Sequence, residues 1–300
     1  MKELVILSGK GGTGKTSLVA SFAALAKNKV LADCDVDAAD LHLVLDPTLK
    51  HRETFTGGKE ARVLAEECTA CGKCAELCLF DAVRLDGPPN SLVGKTYRVD
   101  PIACEGCGVC VRFCPADAIA FEDSTNGWWA LSDTRHGPMV HARLGPAAEN
   151  SGKLVTLVRT QARRVAEREG LELILCDGAP GIGCPVIASI TGADLVLIVT
   201  EPTLSGLHDL ERVHSLIKHF GVPALVCVNK YDINTQLSEE IEAVAQRLGA
   251  TVVGRVRYDH AFTKAQIEGL SLIEYDASAA ADDVRSLWHE VENVLNNGKG

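Results

Sequence analysis

Residues 8–16 read Ser-Gly-Lys-Gly-Gly-Thr-Gly-Lys-Thr, and this stretch limits the possible folds more than any other. Gly9, Gly14, Lys15 and Thr16 satisfy the pattern G-x-x-x-x-G-K-S/T. Anionic phosphates need backbone N–H donors turned inward, and only glycine lets the backbone curl that tightly around them. Gly11, Gly12, Thr13, Gly14, Lys15, Thr16 and Ser17 are the expected nucleotide contacts. In this pattern Lys15 supplies a point charge to the β- and γ-phosphates, and Thr16 an oxygen for Mg2+. The flanks agree. Glu3 to Ser8 is a short apolar run that predicts a buried strand, and Gly14 to Lys27 carries small and apolar residues at helical spacing. Such a helix points its N-terminus at the phosphates.

Lys10 is a second lysine directly after the first glycine, which a phosphate cradle alone does not require. The run GKGGTGKT resembles the deviant Walker A loop of the MinD/ParA/Mrp ATPases, to which the nitrogenase iron protein and the arsenite-transporter ATPases are related. The resemblance covers essentially the whole chain. It implies ATP hydrolysis in a dimer closed across the nucleotide, a homodimer or a heterodimer with a related ATPase. In that dimer Lys10 acts in trans on the partner's phosphates. Within Asp33-Cys34-Asp35-Val36-Asp37, Asp35 matches the family's acidic residue that positions or polarises the attacking water, and Asp33 its loop-supporting neighbour. The plainer alternative is an acidic turn capping a helix over 38–45, and the role of Asp37 stays open. Leu171 to Cys176 predicts a buried strand delivering Asp177-Gly178-Ala179-Pro180-Gly181. This resembles a Walker B aspartate and its switch loop, with Asp177 in the Mg2+ shell and the Gly181 N–H at the γ-phosphate. Asn229-Lys230-Tyr231-Asp232 resembles the guanine-reading motif of GTPases, yet the deviant-loop family often has asparagine here and reads adenine. The expectation is ATP, with Asn229 at the base.

The twelve cysteines are the second strong signal. No charged and apolar leader opens the chain, so a reducing, cytoplasmic setting is expected and disulfides are not. Eight cysteines form a repeat: Cys68-x2-Cys71-x2-Cys74-x3-Cys78, then Cys104-x2-Cys107-x2-Cys110-x3-Cys114-Pro115, thirty-six residues on. This is the bacterial two-cluster ferredoxin pattern. Two-residue gaps let one tight loop aim three thiolates at one cube, while the fourth cysteine, expected to start a short helix, serves the other. The pattern assigns Cys68, Cys71 and Cys74 with Cys114, and Cys104, Cys107 and Cys110 with Cys78. Leu79 stands where proline usually follows, which weakens a turn but removes no ligand. Zinc would need four ligands per ion, which the eight could supply; the doubled spacing favours two [4Fe–4S] clusters. Cys34, Cys176, Cys184 and Cys227 fall in stretches that read as strands or strand ends. Cys184, seven residues after Asp177, matches a bridging-cluster cysteine of the nitrogenase iron protein, but the second cysteine of that site is missing here. A small buried residue packing a helix start is the expectation for it.

The chain therefore reads as an α/β protein with a doubly wound, mostly parallel sheet of P-loop NTPase type and an inserted α+β ferredoxin-like domain. Residues 1–53 and 126–300 are assigned to the ATPase domain and 54–125 to the insertion. Residues 127–145 predict a β-hairpin around Arg135-His136-Gly137, with His136 and His141 on its surface. A helix from Ser151 carries Arg159, Arg163, Arg164 and Arg168, read as a solvated face, or by resemblance as a partner contact at the dimer mouth. The net charge of −10 argues against a general nucleic-acid surface. No apolar run spans a bilayer, and the last helix, from Asp282 to about Asn296, lacks the basic–aromatic face of a membrane anchor. Three functions compete: assistance in iron–sulfur or metallocofactor assembly, ATP-gated electron donation, and MinD/ParA-like positioning. The first is placed ahead, with an unknown metalloprotein client or redox partner.

Overall fold

The computed structural model describes residues 1–145 and 150–297. β1 (Lys2–Ser8) is buried along nearly its whole length, as a strand covered on both faces must be. It is followed by α1 (Lys15–Leu25), β2 (Lys29–Asp33), α2 (Leu41–Leu45) and the long strand β3 (Thr48–Val63). Next come α3 (Lys73–Glu76), β4 (Val83–Gly87), β5 (Thr96–Val99), α4 (Val109–Arg112), β6 (Ile119–Thr134) and β7 (Gly137–Leu144). The second half alternates: α5 (Ser151–Glu169), β8 (Leu173–Pro180), α6 (Cys184–Ile190), β9 (Leu195–Thr200), α7 (Leu204–His219), β10 (Ala224–Asn229), α8 (Thr235–Leu248) and β11 (Thr251–Val256). Three helices close the chain: α9 (Ala261–Ile267), α10 (Leu272–Tyr275) and α11 (Ala279–Asn297).

The principal sheet runs β11-β10-β9-β1-β8-β2-β7-β6-β3. From β11 to β7 every neighbouring pair is parallel, so the expected doubly wound, mostly parallel sheet is present. The carboxyl ends of β1, β2, β8, β9 and β10 consequently share one edge of the sheet, where α/β folds bind ligands. One face is covered by α1 and α11, with Phe22 and Trp288 rings 5.1 Å apart among Leu4, Ile6, Leu31 and Val284.

The chain divides into two compact units. The first comprises Met1–Glu53, Trp129–Arg143 and the chain from Ser151; the second comprises Thr54–Trp128 and Leu144–Asn150. Strand β3 has no counterpart among the sequence expectations, because Thr48 to Glu53 is exposed and, apart from Leu49, polar, without the alternation that betrays a strand. An edge strand needs no such alternation.

The predicted hairpin turns at Arg135-His136, but its histidines do not lie on an open surface. The hairpin joins the sheet beside β2, which covers His141; Ser132 Oγ lies 2.9 Å from its Nε2. Burial pushes its imidazole down to about 4. His136 lies 3.0 Å from Glu274. The face of α5 is likewise not wholly solvated. Arg159 is buried, its Nε donating to Glu3 Oε1 at 2.5 Å, and Arg163 donates to Glu3 Oε2 at 2.6 Å.

In the second unit, the cysteine repeat is also a backbone repeat. Left-handed residues recur at the same offset: Ala70 with Gly106, Gly72 with Gly108, and Asp81 with Asp117. Gly72 and Gly108 each open a one-turn helix, α3 and α4. Those helices hold the third cysteine of each motif, Cys74 and Cys110, and the fourth follows them. The expectation that the fourth cysteine starts a helix is thus corrected. Each helix begins at the left-handed glycine directly after the second cysteine, Gly72 after Cys71 and Gly108 after Cys107, and has ended before the fourth cysteine is reached.

Candidate functional site

The loop after β1 wraps the start of α1. Gly14 sits at φ +89° as the N-cap, and a Cβ there would meet Asn229 Nδ2 at 2.4 Å, so both conformation and space demand glycine. Asn229, at the end of β10, donates to the Thr13 carbonyl at 2.7 Å and accepts from Lys230 N at 3.0 Å. Its side chain fixes the loop, whereas the sequence expectation places it at the base. Asp232 accepts from the Tyr258 N–H at 2.7 Å, so its carboxylate supports a neighbouring loop.

Lys15 is buried among carboxylates. Its Nζ lies 2.5 Å from Asp177 Oδ1 and 3.6 Å from Asp35 Oδ2. Burial alone would lower its pKa, but Asp177 and Asp35 raise it. Asp33 is wholly buried, and burial followed by repulsion from Asp177 pushes its carboxyl well up. One of its oxygens accepts from Asp35 N at 3.2 Å. Burial also raises Asp35 to about 6, with Lys15 pulling the other way. Thr13 Oγ1 and Asp177 Oδ2 are buried without a protein partner, which leaves a hydroxyl and an acceptor available to a ligand or its ion. Gly181, at φ +89°, donates its N–H to the Ser8 carbonyl at 2.9 Å rather than holding it open.

Thr13, Lys15 and Asp35 line a cavity of about 600 Å3 together with the rest of the loop from Gly11 to Ser17, Pro180 and Asn229, while Asp33, Asp177 and Gly181 lie outside its lining. The lining also includes residues without a sequence signal, Arg257, Tyr258, Phe262 and Gln266. Gln266 reaches back to Ser17 Oγ at 2.8 Å. Lys10 lies outside the cavity lining, its Nζ 2.7 Å from Glu201.

The cysteine-rich unit forms a second candidate site. Cys68, Cys71, Cys74 and Cys114 line one small cavity together with Tyr97, Pro115 and Ile119. Burial pushes the Cys74 thiol up to about 11, with Cys68 and Cys71 close enough to add to it. Cys110 is raised by burial and then by Cys104. Cys78, Cys104 and Cys110 pack against the unit's core around Val99 and Ile119. Cys107 is exposed. Among the described residues, no three His, Cys, Asp or Glu side chains converge on the position of a single metal ion. Of the remaining cysteines, Cys34, Cys176 and Cys227 are buried. Cys184 begins α6 and is exposed, which corrects the expectation of a buried strand-end or packing residue. The glycine-rich turn before it leaves the helix start open to solvent.

A family model described as the CobQ/CobB/MinD/ParA nucleotide binding domain matches residues 4–273. An uncharacterized protein of Methanocaldococcus jannaschii is 33% identical over 238 residues, covering 77% of this chain and 79% of its own length. The iron-sulfur cluster carrier protein of Pyrococcus horikoshii is 25% identical over 163 residues, covering 50% of this chain and 55% of its own. Among solved structures, the septum site-determining protein MinD of Pyrococcus horikoshii, complexed with Mg-ADP, superposes with a TM-score of 0.55 at 18% identity. That likeness covers 100% of this chain and 98% of the other and concerns the fold alone. No helix among the described residues is long and apolar enough to cross a membrane.

Proposed function

The chain belongs to the CobQ/CobB/MinD/ParA nucleotide-binding family, and from that premise we propose that it is an ATPase that dimerises on ATP and assists iron–sulfur or metallocofactor assembly. Residues 1–53 and 126–300 would form the ATPase domain, and 54–125 a ferredoxin-like insertion holding two [4Fe–4S] clusters. Lys15 would exchange Asp177 for the β- and γ-phosphates, freeing Asp177 to join Thr16 in the shell of Mg2+. Asp35 would orient the attacking water, and Lys10 would reach the partner's phosphates. The Mg-ADP held by the MinD relative is in keeping with this arrangement.

The observation that carries the iron–sulfur part is the cavity bounded by Cys68, Cys71, Cys74 and Cys114. Cys114 comes from the other motif, which supports the crossed pairing of a two-cluster ferredoxin. The residues fit such a group: four thiols line one small pocket, three from the first motif and one from the second. When bound, the clusters would supply one-electron chemistry or iron and sulfide for delivery.

A second reading, ATP-gated electron donation to a partner, rests on the same cavity. Four thiolates from one chain leave no open coordination position, which favours retention of a cluster. The discriminating experiment loads the protein with labelled iron and sulfide anaerobically and mixes it with an apo-acceptor and Mg-ATP. Label appearing in the acceptor supports assembly. Label retained, with the visible spectrum bleached on reduction and recovered on mixing with an electron acceptor, supports electron transfer and overturns the first reading.

A further inference from the structure

Glu201, directly after β9, bridges two lysines that the phosphate loop depends on. Its Oε1 lies 2.7 Å from Lys10 Nζ and its Oε2 3.1 Å from Lys230 Nζ. Lys230 Nζ also donates to the Gly12 carbonyl at 2.9 Å. Lys10 is further held by Ser205 Oγ at 2.9 Å and Thr203 Oγ1 at 3.3 Å, both at the start of α7. Thr203 is itself fixed as the α7 N-cap, accepting from Gly206 N at 2.9 Å. One carboxylate thus ties both arms of the loop, residue 10 directly and residue 12 through Lys230, to the end of a buried strand.

We propose that Glu201 is a positioning residue that stores Lys10 in cis, and that closing the dimer requires the partner's phosphate to take Lys10 from it. The inference rests on the reading of Lys10 as the lysine that acts in trans. Geometry makes the two roles exclusive, since an ammonium held by Glu201, Thr203 and Ser205 has spent its three N–H donors. Burial opposes ionisation of Glu201, yet the hydrogen bonds and charges of Lys10 and Lys230 hold its carboxyl below the usual range. The Lys10 side chain keeps about a third of its surface in water, so the pair is weak enough to exchange. A triphosphate carries more charge than one carboxylate and would win that exchange; a diphosphate lacks the γ-group that Lys10 seeks. The latch would therefore help discriminate ATP from ADP at the dimerisation step while leaving single-chain binding nearly untouched.

The test compares Glu201→Gln, Ser205→Ala and the parent protein by sedimentation in Mg-ATP and in Mg-ADP, with a fluorescent nucleotide reporting single-chain affinity. Glu201→Gln should lower the protein concentration needed for half-dimerisation in Mg-ATP by about three- to tenfold, the range for loss of a partly exposed charged hydrogen bond. Single-chain affinity should move less than about threefold, because Lys230 Nζ holds the Gly12 carbonyl directly and keeps that bond when Glu201 is neutral. Ser205→Ala, which leaves the charge pair intact, should shift dimerisation in the same direction by less. Placed in the Lys10→Ala background, Glu201→Gln should have no further effect on dimerisation. An unchanged dimerisation midpoint in Glu201→Gln, or an equal shift with and without Lys10, overturns the latch. If Lys10→Ala itself dimerises and hydrolyses normally, the trans-acting reading fails instead, and the two failures are told apart.

Discussion

Lys15 Nζ and Asp177 Oδ1 stand 2.5 Å apart at the start of α1, so the loop lysine and the strand-end aspartate form a buried ion pair. Asp35 lies on the same ammonium at 3.6 Å. Two carboxylates, with Asp33 as a third behind them, therefore share one cation in a buried site. Lys15→Ala should abolish nucleotide binding and also destabilise the empty protein by about 3–5 kcal/mol, because it strands buried acids without their counter-charge. Denaturant unfolding checks the second effect. A fully stable Lys15→Ala would mean that the carboxylates find another partner.

Asp35 gives a pH signature. Its folded pKa, raised by burial to about 6, exceeds the value of an unfolded aspartate. The folded state binds that proton more tightly, so ionised Asp35 weakens the fold above pH 6, and the penalty fades as pH falls from about 6 towards 4. Asp35→Asn should therefore raise the Tm of the nucleotide-free protein at pH 7.5, by about 1 kcal/mol or roughly 2 °C after solvent screening. At pH 4.5 the difference should shrink. A gain that is the same at both pH values would exclude titration of Asp35 as its source. In Mg-ATP the Asp35→Ala protein should bind nucleotide and remain a stalled dimer.

Glu3 and Arg159 join α5 to the first strand across 156 residues of chain. Arg159→Ala should cost about 3 kcal/mol, at the low end for a broken buried pair because Arg163 still holds the other oxygen. Urea unfolding measures this. A surface arginine would change stability by well under 1 kcal/mol.

The exposed position of Cys184 offers a count of free thiols. With eight cysteines engaged by clusters and Cys34, Cys176 and Cys227 buried, the native anaerobic protein should take up about one maleimide per chain. Cys184→Ala should take up none. Rapid labelling of several thiols would show that the eight cysteines are free.

What the sequence reveals and what it conceals divide along contact range. The phosphate loop, the Asp177 strand end and the doubled cysteine motif are local spacings, legible because a few consecutive residues hold the chemistry. The left-handed pair Gly72 and Gly108 follows from the same repeat. Glu201 on Lys10, Gln266 on Ser17 and Glu3 on Arg159 are joined only by the order of strands, and no window of sequence contains both partners. Arg159 misleads for that reason: helical spacing shows a charged stripe but not the buried carboxylate beneath it. Tyr258 and Phe262, which also line the cavity, belong to no motif because an apolar wall can be built from many side chains.

The most direct test of the account is the iron and acid-labile sulfide content of anaerobically purified protein. Two cubanes predict about eight of each per chain, and Cys71→Ser should hold roughly half while still binding ATP. Stoichiometric zinc, or a fully folded protein that binds ATP and cannot be reconstituted with iron and sulfide, would contradict it.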